Sequence, residues 1–224
     1  TINRAEASRV REPVLYYRRQ HASTERGCSP LMPWVVGRTE DVIFGDKEEF
    51  AIEAVLEPGP DFQPVQGRNI AGRIGVWLNG VCVGRLQEPA CWLGPPCSHL
   101  VEKIAHLDRL WDESFHGLTP EELFDRLDQV CFGVCRQDAL SESQLTTPNA
   151  AEPWQFMFLI HSSEAFDGWK GFLVCPTATT LMAVVHSEDS EELAVSHFQV
   201  EAYCAAARGF ATWLGEMEQL LLQS

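Results

Sequence analysis

The sequence predicts an α+β protein, an antiparallel β-sheet with helices packed on one face. Three observations carry that expectation. In GRIGVWLNGVCVGRL, runs of β-favouring residues flank Asn79-Gly80, a dipeptide that readily takes positive φ and so marks a tight type I′ hairpin. Three apolar runs of strand length follow one another between residues 154 and 187 with short Gly-, Pro-, Ser- or Thr-containing connections, too short for crossover helices, so they form an antiparallel meander. Helical periodicity occupies the middle and the end of the chain. With 224 residues and 45% hydrophobic content, the chain can bury a sizeable core.

Taken in order, residues 1–40 mix Arg, Ser and Pro with few periodic apolar positions and read as a weakly structured N-terminal extension. Residues 41–224 read as a single domain. FAIEAVL (50–56) is a strand, and PGPDFQPVQGRN after it is loop because Pro and Gly punctuate it. The Asn79-Gly80 hairpin comes next. A helix is expected from about Ser98 to Trp111, where Leu100, Ile104, Leu107 and Trp111 recur at helical steps with Glu102, Lys103 and Arg109 between them. A second helix opens at Thr119, with Pro120 in the first turn and Glu122 at capping-box distance, and the two helices are expected to pair. WQFMFLIH (154–161), GWKGFLVC (168–175) and TLMAVVHS (180–187) are the meander strands. The last helix is expected to open with Ser196 and Gln199 as a capping box; Gly209 and Gly215 weaken its middle by up to ~1 kcal/mol each.

Charge narrows the partners. The formal net charge is -15, yet residues 1–40 carry seven arginines against four glutamates; ten of the 17 basic and twenty-eight of the 32 acidic residues therefore fall in 41–224, a net of -18. Such a surface repels phosphate backbones and anionic lipid, which argues against nucleic acid and membrane as partners and favours a basic protein. No apolar run approaches the ~20 residues of a spanning helix, and the first residues lack the apolar core of a secretory signal. The default location is cytoplasmic, where the eight cysteines are thiols rather than a disulfide framework.

Catalytic machinery is not apparent. There is no GxSxG, GxxxxGK, GxGxxG, HExxH or CxxC, and the glycines of GRIGVWLNG sit in a hairpin that cannot open a helix onto a phosphate. Two alternatives stay open. Cys131 and Cys135 share a helical face and would give a zinc-stabilised adaptor two ligands; Cys91 or Cys97 with His99 would give a cysteine-dependent hydrolase. Otherwise no catalytic, cofactor or metal residues are assigned. The densest charge is SEDSEE, whose Glu188, Asp189, Glu191 and Glu192 lie between the last predicted strand and the last helix; with Asp112 and Glu113 they form a candidate patch for a basic protein.

VIFGDKEEFAIEAVLE followed by GRIGVWLNGVCVG resembles the immunity protein 42 family of bacterial polymorphic toxin systems. Ile43, Phe44, Gly45, Asp46, Phe50, Ala51, Ile52, Trp77, Asn79 and Gly80 match its pattern, and FDGWKGFLV (Phe166 to Val174, with Trp169) fits its second half. Two departures are Lys47, where the family often has proline, and the leader before Asp41. The resemblance implies a protein that binds and neutralises a cognate secreted toxin in the producing cell, with neither catalysis nor cofactor. Many such toxins are nucleases with cationic clefts, which an acidic inhibitor suits. Trp77, Asn79 and Gly80 are expected to serve the fold rather than the contact.

Overall fold

Strand β2 (Phe50–Leu56) is buried almost throughout, so both of its edges and both of its faces must find partners. In the computed structural model, which describes residues 41–57, 70–87, 91–132, 152–160, 164–190 and 192–223, it lies between β1 (Val42–Asp46) and β3 (Ala71–Leu78), antiparallel to both. β3 also pairs with β4 (Val81–Val83) and with the short β5 (Cys91–Trp92). A second antiparallel sheet has the order β6 (Trp169–Thr177), β7 (Thr180–Ser187), β8 (Leu193–Gln199). The α+β class and the antiparallel pairing are as expected, but the strands divide between two sheets. The predicted extension over residues 1–40 lies outside the described residues.

The predicted hairpin is present. Asn79 has φ 48 and Gly80 φ 80, the pair of positive values a type I′ turn requires. Both amides reach across to the β1–β2 turn: Asn79 N–H donates to the Glu49 carbonyl (3.2 Å) and Gly80 N–H to that of Lys47 (2.7 Å). A β-carbon on Gly80 would meet only the Glu48 carboxylate, at 3.4 Å, so Gly80→Val is penalised by backbone conformation more than by collision. The expected loss is about 1–3 kcal/mol in the urea unfolding free energy; an unchanged midpoint would show that the turn does not need positive φ.

The helices are α1 (Gly94–Ala105), α2 (Pro120–Phe132), α3 (Glu152–Gln155) and α4 (Val200–Leu222). α1 starts four residues before the predicted Ser98, because Pro95 and Pro96 occupy its first turn, where their missing N–H groups cost nothing. It stops at Ala105; Leu107–Leu110 is 3-10 and Trp111 is extended (φ -143, ψ 144). The capping box of α2 is as read, with Thr119 N–H donating to Glu122 Oε2 (2.8 Å) and Glu122 N–H to Thr119 Oγ1 (3.3 Å). α1 and α2 do not form the expected pair as their main packing. α1 lies on α4, where Tyr203 Oη donates to the Leu100 carbonyl at 2.8 Å, while α2 lies on β6 and β7 through Phe124, whose ring is 5.6 Å from Phe172.

Two further elements differ. Residues 154–160 are not a strand: α3 takes the start, Pro153 lying in its single turn, and only an isolated bridge, Phe158 to Phe172, touches β6, while residue 161 of the predicted run lies outside the described residues. Four successive buried side chains, Phe156 to Leu159, carry no period that separates strand from helix. Ser196 is not a helix cap. It is a buried residue of β8, an unpredicted strand that runs straight into α4, which begins at Val200 with no side-chain cap. α4 covers β1 and β2, with Phe44 5.7 Å from both Phe210 and Trp213, and Phe50 5.1 Å from Tyr203. Gly209 belongs to that contact: a β-carbon there would sit 3.2 Å from Phe44 Cδ1. Phe50 stacked on Phe198 (4.8 Å) joins the two sheets.

Candidate functional site

The residues that carry the family pattern build one corner of the first sheet. Asp46 Oδ1 accepts the Glu48 N–H at 2.9 Å, fixing the β1–β2 turn that the Asn79-Gly80 amides grip. On the face of this sheet turned away from α4, Glu53 is buried and ionic: its Oε2 accepts from Lys47 Nζ and from Trp77 Nε1, each at 2.6 Å, while Lys47 Nζ sits 3.9 Å above the Trp77 ring. Lys47, the departure from the family pattern, is thus the counter-ion of a buried carboxylate. Trp169 opens β6, opposite Ser187, and is half-buried beside the core.

The acidic run falls on the β7–β8 turn, not between strand and helix. Its backbone is stitched by serines: Asp189 N–H donates to Ser187 Oγ (3.2 Å), Ser190 N–H to the Ser187 carbonyl (3.1 Å) and Glu192 N–H to Ser190 Oγ (3.1 Å). With the hydroxyls turned inward to the main chain, Glu188, Asp189 and Glu192 are exposed. Gly168 lies beside both Arg85 and Glu188: a β-carbon on it would be 3.2 Å from Arg85 Nη2 and 3.5 Å from Glu188 Oε2. Glu191 lies outside the described residues.

Asp112 and Glu113 sit elsewhere, at the 3-10 turn Glu113–Phe115. Ser114, through its side chain and its backbone N–H (2.8 Å from Oδ1), holds the Asp112 carboxyl below the usual carboxylate range. Asp112 is therefore committed to its own turn. Glu113 is exposed and 3.2 Å from His116 Nε2. The fold thus brings Glu188, Asp189 and Glu192 together on one turn and leaves Asp112 and Glu113 on a separate segment.

The thiols give the alternatives little support. Burial and the nearby Asp128 push Cys131 up to about 11, and burial with Glu53 does the same to Cys82. Cys175 and Cys204 are also raised, chiefly by burial. Cys97 lies within the first turns of α1, not ahead of it, and is buried. Cys135 is outside the described residues, among which no three His, Cys, Asp or Glu side chains gather as a metal site would need. Among them, too, no helix is long and apolar enough to cross a membrane.

Sequence reasoning missed Lys103. It reads as a polar spacer on α1 but is completely buried, its Nζ against His99 Nε2 and 5.1 Å from the Phe156 ring centre, with its pKa lowered to about 7 by burial. His99 Nε2 is also 2.9 Å from the Phe158 carbonyl. A carbonyl only accepts; with Nε2 carrying the proton it takes, Lys103 meets an N–H and must offer a lone pair, as a neutral amine does. No signal in the sequence separates this lysine from its exposed neighbour Glu102.

Two antiparallel sheets, a long helix across the first and an acidic serine-stitched turn on the second define a small acidic α+β protein. The crystal structure of CdiI from Burkholderia dolosa AUO158 shares the fold, with a TM-score of 0.50 over 76% of this chain and 98% of that one at 18% sequence identity. The chain belongs to the immunity protein 42 family, whose model matches residues 42–198. Membership makes toxin neutralisation its function, and the motif residues from Ile43 to Gly80 all lie inside the match. Comparison with curated proteins gives no significant match.

Proposed function

We propose that residues 41–224 neutralise a secreted toxin of basic, nuclease type by binding it in the cytoplasm of the producing cell, with no catalysis, cofactor or metal, and that residues 1–40 are an appendage to that unit. The observation that carries this reading is the β7–β8 turn: serines tie its backbone, and its carboxylates face solvent on a body of net charge -18. A nuclease cleft is cationic because it must hold phosphates, so an acidic inhibitor is steered into it and gains association rate before any close contact forms. Glu188, Asp189, Glu191 and Glu192 are assigned to this steering surface, with Glu113 as a second, separate acid; Asp112 serves its own turn first.

The test is stopped-flow association with the toxin domain encoded beside this chain's gene. Reversing the charge of Glu188, Asp189, Glu191 and Glu192 together is expected to slow association about ten-fold or more at low salt, with the melting temperature nearly unchanged. An association rate equal to that of the native chain at low salt would remove this turn from the contact.

A further inference from the structure

We propose that the outer edge of β8 is the toxin's docking strand: an extended basic segment of the toxin adds to it as a fourth strand of the second sheet. This rests on the immunity reading above and assigns it a surface.

The geometry of the edge follows from two hydrogen bonds. Val200 N–H donates to the Thr179 carbonyl (2.9 Å), which makes the adjoining Thr180–Gln199 pair a non-hydrogen-bonded one in the β7–β8 ladder. The Gln199 N–H accordingly points away from β7, and it donates to Glu49 Oε1 at 3.0 Å. Alternation along an unbroken register from Thr180–Gln199 to His186–Leu193 then turns the N–H and C=O groups of Leu193, Val195 and His197 outward as well. Among the described residues no strand lies on that side of β8.

Open edges are normally blunted, and the other edges here are. β4 has three residues. β1 has five, and includes Gly45 at φ 103 and Asp46. β6 contains Lys170 and Pro176, breaks register between Val174 and Thr177, and has its outer side taken by Met157 and Leu159, whose main chains bond to Leu173 (2.7 Å) and Gly171 (2.8 Å). β8 has none of these devices: LAVSHFQ holds seven residues with no formal charge, no proline, no glycine and no bulge. Its Leu193, Ala194 and Val195 are only half-buried. An edge so regular and apolar invites a strand.

Charge selects the occupant. Glu188, Asp189 and Glu192 stand at one end of β8, and Glu49 and Glu201 at the other. Main-chain pairing would supply affinity, while carboxylates at both ends would favour lysine and arginine on the incoming strand and disfavour a second copy of this acidic chain.

The experiment is amide hydrogen exchange, residue by residue, on the full chain with and without the toxin domain encoded beside its gene. The Leu193, Val195 and His197 amides should exchange rapidly in the free chain and slow about 100-fold or more in the complex, whereas Ala194, Ser196 and Phe198, bonded to β7, are protected in both. Val195→Pro removes one outward N–H and no β7 bond; it should weaken binding about ten-fold, while Val195→Ala binds as the native chain does. A stable complex in which the three outward amides stay fast would overturn the docking edge and leave the immunity reading standing. Absence of any complex would overturn both. Protection already present in the free chain, with a dimer in sedimentation, would assign the edge to a second copy instead. If Val195→Pro fails to fold, the exchange result decides alone.

Discussion

Gly45→Val should leave the protein unable to fold, or cost at least ~4 kcal/mol of unfolding free energy. Gly45 has φ 103, a region valine resists. Space is the harsher limit: a β-carbon there would lie 2.3 Å from the Phe50 carbonyl oxygen and 3.2 Å from Ala51 Cα, both main-chain atoms of the neighbouring strand, and 3.3 Å from Ala206 on α4. Strand and helix would have to part to admit it. Gly80 makes the comparison informative, since it shares the positive φ but faces only the end of a glutamate. Soluble yield and urea midpoints of the two variants, measured together, should rank Gly45→Val far below Gly80→Val. Equal losses would mean that backbone strain alone governs both sites and that β1 and β2 are less closely set.

Lys103→Met should stabilise the protein by about 2–4 kcal/mol at pH 7, because it replaces a buried amine with a buried thioether of similar length. The sign follows from the pKa, lowered by burial from 10.5 to about 7. In the unfolded chain Lys103 holds its proton up to about 10.5; in the folded chain it gives it up near 7. The unfolded state therefore binds more protons between these values, so this group's contribution makes stability rise with pH across that window and fall again as pH drops towards 7. Below the folded pKa both states are charged and the penalty is constant. At roughly 1.4 kcal/mol per unit the full penalty is ~5 kcal/mol, against which the variant gives up a hydrogen bond to His99 worth ~1 kcal/mol. Other groups also titrate at alkaline pH, so the readout is the stability difference between native and variant, which should shrink from pH 7 to 10. A difference that does not change with pH would show that Lys103 keeps its proton in the fold.

Local chemistry was legible wherever the chain's own neighbours decide the conformation. The Asn79-Gly80 turn and the Thr119–Glu122 capping box occur where their spacing places them, because positive φ and reciprocal capping are satisfied within a few residues. β2, β6 and β7 were likewise readable, as alternating or apolar runs between breakers. The errors came where distant partners decide. Ser196 and Gln199 have capping-box spacing, yet β7 recruits them into β8, and the Gln199 amide is satisfied by Glu49 from the other sheet. Phe156 to Leu159 are apolar enough for a strand, but one turn of helix and a single bridge bury them as well. The candidate site divides the same way. Acidic residues were identifiable by composition; that three of them share one turn ahead of an open strand edge depends on β8, which no local signal announced.

The bond from the Gln199 amide to the Glu49 carboxylate spans 150 residues of chain and closes the first sheet against the segment that enters α4. During synthesis Phe44 and Phe50 emerge long before the helix that covers them. At ~5–20 residues per second, that apolar face waits on the order of 10–30 s for its cover. The nascent protein thus has an interval in which the surface later sealed by Phe210 and Trp213 is open to chaperones and to other unfinished chains, and its yield in the cell depends on how well that interval is guarded.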